Sequence, residues 1–141
     1  MQYNKETSLG YALTTTLNTI RKKFNKRIKH LLLSSEQYGL MKLVEEEKLT
    51  PSEVASLLKR DKATITRMCK SLEDKGYIFK EEIDNKSFFI VLSESGREVL
   101  KEATQIAKEF HDEMVNLVGE RNFFLMIENL NKIRDYFEGQ K

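Results

Sequence analysis

The chain has 141 residues, of which 40% are hydrophobic and 33% are charged, and its net charge is +2 at neutral pH. This length suffices for one domain with a hydrophobic core, and the composition excludes a disordered chain. No apolar run reaches the length of a membrane span, the N-terminus shows no signal-peptide pattern, and a single cysteine excludes a disulfide framework. We therefore expect a helix-rich cytoplasmic protein.

The first two predicted elements are helices. The first covers about residues 7–29, where one apolar stripe recurs at spacings of three and four residues: Leu9, Leu13, Leu17, Ile20, Phe24 and Ile28. Ser34 and Gln37 have the spacing of a capping box, which predicts a second helix that ends near Glu46.

A helix-turn-helix is predicted from residue 50 onward. Thr50, Pro51 and Glu53 form the start signal of a short helix, and Lys59-Arg60-Asp61 forms a basic turn after it. The next helix ends at Gly76 and has an apolar side made of Ile65, Met68, Cys69 and Leu72. Cys69 therefore has the position of a small buried hydrophobe, which we favour over a redox sensor.

The opposite side of this second helix is polar. Its side chains donate hydrogen bonds or carry positive charge: Lys62, Thr64, Thr66, Arg67 and Lys70. These are the groups that a helix in a DNA major groove needs. The charge distribution agrees, because residues 1–33 hold seven bases against one acid and residues 59–75 hold six bases against three acids.

A hairpin and two helices complete the predicted order. Residues 77–83 and 87–92 read as strands around Asp84-Asn85-Lys86. One helix then covers about residues 93–117, Gly119 breaks it, and a last helix covers about residues 120–138. The density of apolar residues in this C-terminal part predicts a symmetric interface between two chains, and the alternative is an ordinary intramolecular core.

Five segments, in order and with family-like spacing, resemble the MarR family of bacterial winged-helix transcriptional regulators. These segments are residues 33–38 (LSSEQY), 49–55 (LTPSEVA), 63–68 (ATITRM), 72–78 (LEDKGYI) and 91–96 (VLSESG). The resemblance implies a mainly α fold with a small β-hairpin wing, in which residues 34–96 form the winged helix-turn-helix. Residues 1–33 and 97–141 then form dimerisation helices, and the whole chain is a single MarR-like domain.

The resemblance also implies a mode of action and its residues. A homodimer binds a pseudo-palindromic DNA operator, and a small molecule or oxidant often modulates binding. The wing departs from the family pattern, since Asn85 stands where the family usually has an arginine for the minor groove. The candidate DNA-binding residues are Lys59, Arg60, Lys62, Ala63, Thr64, Thr66, Arg67, Lys70, Asn85 and Lys86. The candidate effector pocket contains Tyr11, Phe24 and Tyr38, which also read as core aromatics.

The leading hypothesis is a dimeric, sequence-specific DNA-binding regulator, with a repressor modulated by a small-molecule effector as its favoured form. The alternative is a winged-helix module that docks a protein partner and has lost strong DNA binding. An enzyme is disfavoured, because the sequence has no nucleotide-binding loop, no metal-ligand spacing and no nucleophile–base set. His111 has acidic neighbours, but they point in different directions on a helix. We expect no cofactor and no metal.

Overall fold

The computed structural model describes residues 3–140, which contain six α-helices and one two-stranded hairpin in the predicted order. The elements are α1 (Leu9–Ile28), α2 (Ser35–Glu46), α3 (Pro51–Leu58), α4 (Lys62–Asp74), β1 (Ile78–Glu82), β2 (Phe88–Leu92), α5 (Glu94–Val118) and α6 (Glu120–Glu138). The predicted winged helix-turn-helix is therefore confirmed. No helix among residues 3–140 is both long enough and apolar enough to cross a membrane.

Two capping boxes begin α2 and α3, as the sequence predicts. The Ser34 hydroxyl accepts a hydrogen bond from the Gln37 backbone N–H, and the Gln37 side chain accepts one from the Ser34 N–H. Thr50 and Glu53 make the same reciprocal pair at α3, with Pro51 in the first helical position. Each box satisfies two backbone donors that a helix start otherwise leaves unpaired.

The first helix begins two residues later than the sequence predicts. Ser8 has extended backbone geometry, and its hydroxyl accepts a hydrogen bond from the Tyr11 N–H at 3.2 Å, so it caps α1. Residues 5–7 form a separate 3-10 turn that Asn4 caps. The apolar stripe begins at Leu9, the first residue of α1, and the Ser8 cap lies directly before it.

The hairpin pairs residues 78–82 with residues 88–92 in antiparallel register, with Ile78 opposite Leu92. Its strands are shorter than predicted by one residue at each end of the first and at the start of the second. The Ile90 N–H also donates to the Leu49 carbonyl at 2.9 Å, which ties the hairpin to the segment before α3. This contact fixes the wing against the helix-turn-helix.

The end of α4 is bound to the start of α5 through a close backbone approach. The Ser93 and Ser95 hydroxyls both donate to the Gly76 carbonyl, and the Ser93 N–H donates to the Tyr77 carbonyl at 3.0 Å. A Cβ at Gly96 would lie only 2.0 Å from the Tyr77 carbonyl oxygen. Glycine is therefore required here by space.

Residues 3–140 divide into two compact units, with the boundary between Gln105 and Ile106. In the first unit the core combines α1 to α4, the hairpin and the part of α5 up to residue 105. Its fully buried side chains include Ile28, Leu40, Met41, Ile65, Leu72, Ile90 and Leu100. In the second unit Phe123 is buried, and the His111 ring packs edge-on against it with ring centroids 5.0 Å apart. The division into residues 1–33, 34–96 and 97–141 stays a prediction.

Candidate nucleic-acid interface

The helix α4 has one buried side and one exposed polar side. Ile65, Cys69 and Leu72 are buried against the rest of the first unit. The exposed residues on the other side include five of the predicted DNA-binding residues: Lys62, Ala63, Thr66, Arg67 and Lys70. The helix therefore leaves a row of donors and positive charges in solvent, at a spacing suited to contacts with base edges and phosphates.

A chain of hydrogen bonds at the start of α4 holds two of these side chains. Asp61 caps the helix by accepting hydrogen bonds from the Thr64 N–H at 3.1 Å and from the Thr64 hydroxyl at 2.5 Å. The Arg67 guanidinium in turn donates to the Thr64 hydroxyl oxygen at 3.1 Å. The hydrogen bonds from Thr64 hold the pKa of the Asp61 carboxyl below its ordinary value. The network thus orients Arg67 before any ligand binds.

Asp61 is a site residue that the sequence analysis missed. It appears there only as part of the basic turn, although an aspartate directly before the first residue of a helix is a known capping signal. Asp61 positions Thr64 directly and Arg67 through Thr64.

The turn between α3 and α4 presents one arginine that is already paired. Lys59 takes a left-handed conformation, with φ of 56°, and lets the chain reverse tightly after α3. The Arg60 guanidinium lies 2.6 Å from the carboxylate of Glu36 in the first turn of α2, and both side chains are about one-third exposed, at 35% and 32%. A phosphate that approaches Arg60 therefore meets the charge of Glu36 as well.

The wing tip is organised by Asp84. One of its carboxylate oxygens accepts hydrogen bonds from the Lys86 N–H at 2.8 Å, the Ser87 N–H at 2.9 Å and the Ser87 hydroxyl at 3.1 Å. These bonds lower the pKa of Asp84. Asn85 and Lys86 are exposed at the tip, so the wing presents one neutral amide and one positive charge.

Cys69 lies on the buried side of α4. Burial raises the pKa of its thiol to about 11. Because the thiolate is the reactive form, a thiol with this pKa is almost entirely protonated at neutral pH. The geometry favours the structural role over the redox role.

The three candidate effector residues do not all lie together. Phe24 is buried, and its ring packs edge-on against Tyr38 with the centroids 5.3 Å apart. Tyr11 is exposed on α1, thirteen residues before Phe24 and so about 20 Å along the helix. The effector pocket stays a prediction, and within one chain only Phe24 and Tyr38 meet.

A short helix, a tight turn, a second helix with an exposed polar face and a following hairpin define a winged helix-turn-helix protein. A family model described as the sugar-specific transcriptional regulator TrmB matches residues 32–94. The chain is also 31% identical over 121 residues to the HTH-type transcriptional regulator SarZ of Staphylococcus haemolyticus, which covers 79% of this chain and 82% of that protein.

The chain belongs to the MarR family of winged-helix transcriptional regulators. Among solved structures, the regulator BldR from Sulfolobus solfataricus matches it with a TM-score of 0.83 and 26% identity, covering 96% of this chain and 99% of that one. The Staphylococcus aureus MepR–DNA complex also matches with a TM-score of 0.83, at 21% identity and with 92% and 98% coverage. The latter likeness supports the fold alone.

Proposed function

We propose that this regulator binds duplex DNA sequence-specifically as a homodimer, with α4 in the major groove. The observation that carries the proposal is the exposed polar side of α4, whose Arg67 is held by the network that begins at Asp61. A helix that docked a protein partner would carry apolar anchors on this side instead. Two such helices would read half-sites of a pseudo-palindromic operator about 10 base pairs apart.

The candidate residues take two roles in this proposal. Arg67 contacts a base edge, with Ala63, Thr64 and Thr66 beside it, because arginine or lysine on guanine is the commonest specific contact in the major groove. Lys59, Arg60, Lys62 and Lys70 contact phosphates, which supply affinity but no sequence information. Asn85 and Lys86 approach the minor groove from the wing.

The proposed dimer rests on apolar side chains that stay exposed in each unit. On α1 these are Leu9, Tyr11, Leu13 and Leu17, and each is at least 44% exposed. In the second unit they are Leu117, Val118, Phe124, Leu125, Met126, Ile127, Ile133, Tyr136 and Phe137. Apolar surface of this extent is costly to leave in water and is typical of an interface between chains. Sedimentation at low micromolar concentration tests this, because a folded monomer of 16.5 kDa would contradict the dimer.

The remaining parts of the proposal follow from the family. Repression relieved by a small-molecule effector, and action in the cytoplasm where the chromosome lies, are the expectations that the resemblance implies. In this proposal such an effector packs against the ring pair that Phe24 and Tyr38 form.

Selection of DNA fragments by the purified protein, followed by sequencing, tests the proposed function. We expect a pseudo-palindromic motif. Arg67→Ala should then cost on the order of 1–3 kcal/mol in binding and relax the preference at one position of each half-site. An equal loss on selected and random DNA would make Arg67 a phosphate contact instead.

The alternative function is a protein-docking winged helix. Two observations favour it: the neutral Asn85 at the wing tip and the exposed apolar side chains of Phe79 and Ile83 on the wing. The salt dependence of DNA binding separates the alternatives. The informative quantity is the slope of the logarithm of the binding constant against the logarithm of the salt concentration, called the log–log salt slope. A slope near zero would favour protein docking, whereas a steep negative slope is expected for a DNA-binding regulator.

A further inference from the structure

Two adjoining open basins lie along α1 and the segment that leads into α2. One has a volume of about 510 Å³, and Lys26, Lys29 and Lys75 contribute to its lining together with Gln37. The other has a volume of about 430 Å³, and Lys22, Lys23 and Lys26 contribute to its lining. Lys26 belongs to both, so the basins form one continuous surface.

The charge of this surface is unbalanced. Five lysines and no acidic residue line the two basins, although the whole chain has 22 acids against 24 bases. Several lysines elsewhere are paired with carboxylates, as Lys42 is with Glu45 and Lys48 is with Glu81. Within residues 3–140, by contrast, no carboxylate lies within ion-pairing distance of the lysines that α1 contributes. We call Lys22, Lys23, Lys26, Lys29 and Lys75 the lysine tract.

The lysine tract reaches the helix that carries the DNA-binding face. Lys75 directly follows α4, and its ammonium donates to the Leu32 carbonyl and, at 3.2 Å, to the Gln37 side-chain oxygen. The Gln37 amide also donates to the Ser71 hydroxyl on α4 at 3.2 Å. Lys75 lies eight residues after Arg67, which is about 12 Å along the helix and about 80° around it. A polyanion on the exposed side of α4 would therefore continue into the larger basin.

The arrangement of the lysines fits a polymer better than a small anion. Lys22 and Lys26 on α1 and Lys29 in the turn directly after it are spaced by four and three residues, so they follow one side of this segment over roughly 10 Å. Successive phosphates on one DNA strand advance by about 3.4 Å along the duplex axis, so this row matches about three of them. A single carboxylate or phosphate would reach only one or two of these ammonium groups.

We propose that the lysine tract binds the phosphate backbone of duplex DNA beyond the bases that α4 reads. This inference rests on the proposed function and extends the protein's footprint past the recognition helix. Because lysine acts on phosphate as a point charge, the tract adds affinity and salt dependence without adding sequence preference.

The test compares Lys22→Gln/Lys26→Gln with the matched control Lys101→Gln/Lys108→Gln, which removes two exposed lysines from α5. Each protein is titrated over a range of salt concentrations against three duplexes: the selected operator trimmed to its motif, the same operator with flanks of about 10 base pairs, and a long random sequence. Thermal unfolding of each variant checks that the fold is intact.

On the flanked operator and the random duplex, we expect the tract variant to lose about 2 from the magnitude of the log–log salt slope, close to 0.9 per phosphate. On the trimmed operator the tract variant should have the same salt slope as the wild type. The control variant should have the wild-type slope on all three duplexes. If the tract variant had the salt slope of the wild type and still preferred the operator, the lysine tract would not bind DNA, but the proposed function would be unaffected. An equal decrease in slope on the trimmed duplex would also contradict binding beyond the motif. A second outcome is that the wild type does not prefer the operator over random DNA, while the tract variant still has a smaller salt slope than the wild type on random DNA. This result would contradict the proposed sequence-specific function but would support phosphate binding by the lysine tract.

Discussion

The Arg60 guanidinium lies 2.6 Å from the Glu36 carboxylate, and this ion pair joins the turn of the helix-turn-helix to the first turn of α2. Arg60 is one of the residues that the sequence assigns to phosphate contacts. Its positive charge is therefore partly neutralised in the free protein, and DNA must compete with Glu36 for it. The pair reduces the protein's attraction to any phosphate, including those of unrelated sequences.

The first prediction concerns this pair. Glu36→Gln should raise the affinity for random DNA severalfold and increase the magnitude of the salt slope by about 1, because Arg60 becomes available to a phosphate. Glu98→Gln, which removes an exposed acid on α5, is the control. If Glu36→Gln left both affinity and slope unchanged while Arg60→Ala weakened binding, the pair would not restrain Arg60.

The second prediction concerns pH. Hydrogen bonds from Thr64 lower the pKa of Asp61 in the folded protein, so the ionised carboxylate stabilises the fold at pH values above its ordinary pKa of 3.8. This contribution is lost as the pH falls through the lowered folded-state pKa. Asp61→Asn should therefore have a lower melting temperature than the wild type at pH 7. The difference between the two melting temperatures should become smaller in acid. If this difference in melting temperature stayed constant down to pH 2, the charge of the Asp61 carboxylate would not stabilise the fold.

The third prediction concerns the glycine at the start of α5. Gly96→Ala places a Cβ against the Tyr77 carbonyl and should destabilise the fold by about 1–3 kcal/mol, as overpacking does. Gly39→Ala is the matched control, because nothing lies within 4 Å of a Cβ there and alanine favours a helix. Chemical denaturation measures both. Equal stability of the two variants would show that the backbone approach relaxes without cost.

The fourth prediction concerns the wing. Asn85→Arg should strengthen DNA binding, most of all on operators with A·T-rich flanks, because a narrow minor groove concentrates negative potential. Asn85→Ala should change little, and Lys86→Ala should cost more, since Lys86 carries the positive charge at the tip. Titration of the three variants against one operator tests the ranking. A severe loss with Asn85→Ala and no gain with Asn85→Arg would reveal a specific contact of the amide.

Local signals made the fold predictable from the sequence. The two capping boxes, the proline at the start of α3 and the glycine after α4 act within a few residues, and each lies where the sequence predicts it. The apolar side of α4 follows from its periodicity in the same way. The start of α1 was harder, because a separate 3-10 turn at residues 5–7 directly precedes the Ser8 cap.

The features that tune the interface depend on tertiary structure. Glu36 and Arg60 are 24 residues apart, and only the packing of α2 beside the turn brings them together. The same holds for Lys75 and the lysines of α1, which share a basin although about 50 residues separate them in sequence. Lys59 shows another limit, because a left-handed lysine has no signal in the sequence comparable to that of glycine.

The central claim is that the exposed side of α4 recognises a DNA sequence. It is tested most directly by a competition titration at fixed salt, in which the wild-type protein bound to its selected duplex is displaced by a random duplex of the same length. We predict that the selected duplex binds at least about 10³-fold more tightly, the lower end of the range for specific regulators. Equal affinity for the two duplexes would contradict the account.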